Sequence, residues 1–174
     1  ENELEILLAE RAITRVVLAY ARAVDTLDYA SLRECFHPDA IIHYGKIFSG
    51  PRDEALAWLE NSLSRLQTTM HDFGAPWIEL DLPRGRAHVE TYATNAARYP
   101  ANDKGEVVLN VTGTRYIDTF ERRDGAWRIL ERRNVGFTSR ADLHHEPGRI
   151  SHTSRPFSLK WITCGSGFDT STAT

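Results

Sequence analysis

"YIDTFERRDGAWRILERRNVGF", residues 116–137, reads as two extended segments joined at Asp124-Gly125. Tyr, Ile, Thr, Phe and Val favour strands, and an Asp-Gly pair between such runs signals a tight hairpin, because both residues tolerate positive φ. The pattern continues upstream. Extended segments are expected at 68–80, 86–99, 106–121 and 126–139, separated by the turn material "LPRGR", "PANDKG" and "RRDGAW". Before residue 67 the period changes. Apolar residues at 4, 7, 8, 13, 16, 17, 20 and 24 recur near 3.6 and predict a first helix from Leu4 to Val24. Asp28 caps a short second helix through Phe36, and "HPDAIIHYG" turns extended at Ile41 and Ile42. Ser49 and Pro51 open a third helix that carries Leu56, Leu59, Leu63 and Leu66. The order α, α, β, α and then a four-strand meander implies an α+β domain, with helices on one face of a curved antiparallel sheet.

The 174 residues are enough for one domain with a core and a small-molecule cavity. We expect it to span 1–140, followed by a partly irregular extension over 141–174. By composition, the last ten residues are expected to be disordered. Phe157 and Trp161 of "SRPFSLKW" are expected to cover either a pocket mouth or a neighbouring subunit. A net charge of −3 argues against a nucleic acid or an anionic membrane as partner, since both reward clustered positive charge. No run approaches about 18 apolar residues and no signal peptide opens the chain, so a cytoplasmic protein is expected. Cys35 and Cys164 are too few for a disulfide framework, and Cys35 reads as buried packing.

Asp25 ends the first helix on the margin of its apolar stripe, stacked above Ala21 and Val17. A carboxylate there needs a partner, and His71, between Met70 and Phe73 in a strand-like segment, is the best placed candidate. An Asp bonded to one ring nitrogen fixes the tautomer and leaves the other nitrogen as a base. Tyr20 offers a phenol to a carbonyl or leaving oxygen. On spacing alone, a helix-ending Asp, a core Tyr and a satisfied strand His account for these positions more readily, because such position pairs are common by accident. Alternation puts Asn110, Thr112, Thr114 and Tyr116 on one strand face, opposite Leu109, Val111 and Ile117; that row either lines a cavity or faces solvent. Tyr44, Phe48, Trp58, Trp77 and Tyr92 read as core or as the wall of a pocket for an apolar or aromatic ligand. His37, His43, His88, His144, His145 and His152 lack metal-site spacing, so no metal is expected. Neither a phosphate loop nor a dinucleotide fingerprint is present, and no cofactor is expected.

Tyr20 and Asp25 on the first helix, "LRECFHPDAIIHYG" into "FSGPRDEALAWL", then "TTMHDFG" and the final hairpin together resemble the SnoaL-like branch of the NTF2-like superfamily. The resemblance covers about residues 4–140. It is nearest to the group of scytalone dehydratase, bile acid 7α-dehydratase and hexachlorocyclohexane dehydrochlorinase. It implies a cone-shaped barrel around a pocket and proton abstraction by a His-Asp pair, with Asp25 and His71 at the matching positions. Tyr20 matches a tyrosine of the bile acid enzyme; the dehydrochlorinase has lysine there. An arginine of the last strand, matched by Arg132 or its neighbour Arg133, would assist the leaving group. The activity implied is dehydration or a related β-elimination of a small hydrophobic substrate. A carbon–carbon lyase or isomerase through an enolate, and a noncatalytic ligand-binding or assembly module, are the alternatives. Related cones form dimers or trimers, so a homo-oligomer is expected.

Overall fold

A computed structural model describes residues 2–145. The opening helix α1 (Glu3–Asp25) is capped by Asn2, whose side chain accepts from the Leu4 N–H at 3.1 Å. Its inward face buries Ile13, Val17, Tyr20 and Val24. Leu4, Leu7 and Leu8, expected on the same stripe, are exposed instead. At about 100° per residue Leu4 lies roughly half a turn around the helix from Ile13, so steps of three and four do not add up to one face. The helix stops where Thr26 leaves helical geometry and Leu27 takes a φ of 55°. Asp28 then caps α2 (Tyr29–Glu34) by accepting from Ser31 N–H at 3.0 Å.

Strand β1 (Phe36–Tyr44) turns at Gly45, where φ is +56°, into β2 (Phe48–Pro51). Helix α3 (Arg52–Leu63) follows directly and buries Ala55, Leu56, Leu59 and Leu63. The remaining strands are β3 (Thr68–Phe73), β4 (Trp77–Asp81), β5 (Arg86–Arg98), β6 (Glu106–Arg123) and β7 (Ala126–His145). The segment expected as one strand over 68–80 is therefore two. Pro76 carries no N–H for a ladder, and the two pieces pair with different stretches of β5, β3 with 93–98 and β4 with 86–90.

The sheet order is β2-β1-β7-β6-β5-β3, with β4 also on β5. Its outermost strands, β2 and β3, do not pair with each other, so the curved sheet stays open. All pairs are antiparallel except β1 with β7, whose strands run parallel. The β6–β7 turn is the expected Asp-Gly hairpin, with φ of 52° at Asp124 and 80° at Gly125. β7 carries a bulge at Phe137, since Gly113 pairs with Thr138 and Thr114 with Gly136. It also runs on to His145, past the region where sequence periodicity fades.

The core joins α1, α3 and the inner sheet face through Tyr20, Phe36, Ile42, Leu56, Val89, Tyr116 and Phe120. Cys35 is buried, and that burial pushes its thiol pKa up to about 11. Trp77 and Tyr92, expected in the core or pocket wall, are 67% and 58% exposed. Strand alternation sends Tyr92 outward, where it stacks on Phe137 at 5.7 Å. The final ten residues, His152, Cys164, Phe157 and Trp161 lie outside the described residues.

Candidate active site

The end of α1 and the edge strand β3 meet at one carboxylate. Asp25 Oδ2 accepts from the backbone N–H of His71 at 2.8 Å, and Asp25 Oδ1 lies 2.7 Å from His71 Nδ1. A carboxylate can only accept, so Nδ1 carries the proton and the neutral ring keeps its lone pair on Nε2. The His71 side chain is 11% exposed, and Phe73 meets its ring edge-on at 6.2 Å.

Behind Phe73 lies a cluster of rings around a buried charge. Phe73 packs on Tyr116 at 4.9 Å and stacks with Tyr20 at 6.1 Å. The Arg132 guanidinium lies 4.0 Å from the Tyr20 ring centre and 4.7 Å from that of Tyr116. Arg132 is fully buried and donates two hydrogen bonds to Asp118, Nε to Oδ1 at 2.8 Å and Nη2 to Oδ2 at 2.6 Å. Burial opposes its charge, but the Asp118 carboxylate outweighs that effect and holds the Arg132 pKa above its ordinary value. Nη1 has no hydrogen-bond partner. Arg133 points the other way, exposed and paired with Glu131 at 2.5 Å, so Arg132 is the arginine that faces inward.

An open cleft of about 520 Å³ adjoins this cluster, lined by Tyr44, Trp58 and Ile47 together with Asn95, Thr112, Thr114 and Asn134, the last being the ladder partner of Tyr44. Tyr44 stacks on Trp58 at 5.1 Å, and Phe48 stacks on Trp58 at 5.5 Å. The Tyr44 and Tyr20 hydroxyls are 3.0 Å apart. Burial is the main cause that lifts both phenols, Tyr44 to about 12 and Tyr20 well above its usual value. Asn95 donates through Nδ2 to Thr114 Oγ1 and to Tyr116 OH, both at 3.2 Å.

Of the residues singled out from the sequence, Tyr44, Trp58 and Thr112 line this cleft. Phe48 stands outside the lining because Trp58 covers it. Asn110 is not a lining residue either: it lies two residues before Thr112 on β6, farther from the buried stretch that starts at Thr114, and its Oδ1 accepts from Ser139 Oγ at 3.1 Å. Tyr20 and Arg132 are buried a layer behind Tyr44, so neither reaches the cleft surface. Asp25 and His71 are not lining residues, but Asn95, the ladder partner of His71, is one. Asp118, Asn95, Asn134 and Lys46 were not anticipated. Asp118 was within reach of the alternation that runs through Thr114 and Tyr116; Asn95 and Asn134 depend on strand register, which only the folded chain supplies. His37 bonds the Glu121 carbonyl, His43 pairs with Ser49 and His88 with Glu90. Among the described residues no group of three His, Cys, Asp or Glu is placed to hold a metal.

A family model described as a SnoaL-like domain matches residues 5–133. The chain belongs to the SnoaL-like family. Solved structures with the same fold include a putative scytalone dehydratase from Novosphingobium aromaticivorans, 20% identical with a TM-score of 0.67, covering 77% of this chain and 87% of that one. A type 2 hexachlorocyclohexane dehydrochlorinase is 18% identical with a TM-score of 0.72, covering 86% of this chain and 100% of that one. A third, the type 3 dehydrochlorinase from Novosphingobium barchaimii, is 17% identical with a TM-score of 0.70, covering 81% and 94%. No curated protein matches the sequence. The SnoaL-like chain thus has the NTF2-like cone in its open form, with helices lining one side of a curved sheet. None of its helices among the described residues is long and apolar enough to cross a membrane.

Proposed function

We propose that this SnoaL-like protein is a cofactor-free lyase that eliminates water or a related leaving group from a small cyclic substrate bearing an acidified C–H. The observation that carries the reading is the two-point grip of Asp25 on His71, through Nδ1 at 2.7 Å and the backbone N–H at 2.8 Å. The dehydratase and dehydrochlorinase names of its structural neighbours support it.

In this reading His71 Nε2 takes the proton next to a carbonyl, and the C–H electrons form an enolate. Asp25 stabilises the imidazolium. The Tyr44 phenol, neutral to about pH 12, donates a hydrogen bond to the enolate oxygen. Tyr20 and Arg132 act through Tyr44 from the layer behind it. Collapse of the enolate breaks the neighbouring C–O bond. The imidazolium returns its proton to the departing hydroxide, which leaves as water, and the base is restored. An isomerase or carbon–carbon lyase would share the first step and differ in how the enolate is consumed.

The test is solvent exchange of the acidified proton in deuterium oxide, followed by NMR across hydroxylated aromatic ketones and steroids. His71→Ala should lower exchange by roughly 10²- to 10⁴-fold. It should leave the fold intact, because the backbone N–H still reaches Asp25. Exchange at the wild-type rate in that variant would remove the mechanism.

A further inference from the structure

Lys46 is the one charged residue among those lining the cleft, within the described part of the chain. It occupies the β1–β2 turn, where Gly45 takes a φ of +56° and Ile47 N–H donates to the Tyr44 carbonyl at 3.0 Å. Only a residue without Cβ takes that φ freely, and the turn brings Lys46 to the cleft beside the Tyr44 and Trp58 rings. The Lys46 side chain has no ion pair or hydrogen bond with any described residue, and among the described residues no carboxylate lines the cleft to offset it. The other polar groups of the lining, on Asn95, Asn134, Thr112, Thr114, Thr138 and Ser139, are neutral. The aromatic wall therefore ends at an unbalanced positive charge.

The turn and the His71 side of the cleft are well separated. Lys46 follows β1, whereas Asn95 lies on β5 opposite His71, and β7 and β6 run between them. Three strand spacings are about 14 Å measured along the sheet. A ligand that reaches both ends spans one or two rings.

Building on the elimination reading, we propose that Lys46 is a specificity-determining residue, and that the substrate carries an anionic group, a carboxylate in its simplest form, on the side of its ring system remote from the acidified C–H. The rings lie against Tyr44 and Trp58, the carbonyl end faces Asn95 and His71, and the anion meets Lys46 at the mouth. An anion there gains a partner and keeps part of its hydration, so the contribution is one of selectivity rather than of anchoring.

The experiment uses a tetralone bearing a carboxylate on its aromatic ring, against the matching primary amide, with the whole chain. Calorimetric titration reads binding, and NMR in deuterium oxide reads exchange next to the ketone. The carboxylate should bind about tenfold more tightly than the amide at low salt, and the difference should shrink as ionic strength rises. Lys46→Met should bring the two affinities together, Lys46→Arg should keep the preference, and Lys46→Glu should reverse it. Equal affinities in the wild type, a preference that survives Lys46→Met, or binding of neither compound would overturn the proposal. Loss of the preference in Lys46→Met with exchange abolished only by His71→Ala supports both readings. A carboxylate preference without any exchange would sink the elimination reading, and with it the claim that the bound anion is a substrate.

Discussion

Asp25 has two tasks at once, and substitutions separate them. Its Oδ2 satisfies a backbone donor of β3, while Oδ1 orients an imidazole. Asp25→Ala leaves the His71 N–H without its acceptor in a partly buried place, which costs about 1–3 kcal/mol of folding stability. Asp25→Asn keeps one accepting oxygen for that N–H and should stay within about 1 kcal/mol of the wild type. Its amide nitrogen, however, donates toward Nδ1 and favours the tautomer that protonates Nε2, so solvent exchange should fall as far as in His71→Ala. Urea midpoints and exchange rates for the two variants check this; an Asn variant that exchanges normally would show that the tautomer is irrelevant. The sequence allowed a view of Asp25, His71 and Tyr20, because a carboxylate at the margin of an apolar stripe and a histidine between apolar residues are visible as patterns. It did not allow a view of the backbone N–H contact, which follows from the docking of α1 on β3.

The elements were legible where a local period or turn chemistry governs them. The Asp124-Gly125 hairpin, the cap at Asp28, the start of α3 after Pro51 and the helical runs follow from neighbouring residues. What escaped depends on distant pairing. The parallel alignment of β1 with β7 and the division of labour between β3 and β4 along β5 have no local signature. The pairing of Asp118 with Arg132 across the β6–β7 ladder is of the same kind, and it bears on stability. Removing one member strands a charge among Tyr20, Phe36 and Tyr116. Asp118→Ala should lower stability by about 3–5 kcal/mol, whereas replacing both, Asp118→Leu with Arg132→Met, should recover most of that loss. Denaturant unfolding with coincident fluorescence and circular dichroism measures both, and a single variant as stable as the wild type would mean that water reaches the guanidinium.

For the molecule as a whole, three phenols on the inner side respond to alkali together. Burial, the largest cause in each, holds the pKa values of Tyr20, Tyr44 and Tyr116 above the ordinary 10.0, that of Tyr44 at about 12. Between the unfolded and folded values the unfolded chain has lost protons that the folded chain retains, so stability falls as pH rises. The stabilisation is complete below pH 10 and drains away through about pH 12 and beyond. Urea midpoints between pH 9 and pH 12 should drop steeply, with tyrosinate absorbance appearing only as the chain opens; absorbance rising ahead of unfolding would show that the phenols are reachable in the native state. The grip of Asp25 also ties competence to correct assembly. Both of its partners belong to a single residue on an edge strand, and a slip of one position would turn that imidazole to the opposite side of the sheet. A chain threaded with the wrong alignment would present Met70 and Asp72 to the inner face in place of the imidazole, and in the elimination reading it would lose the His71 base.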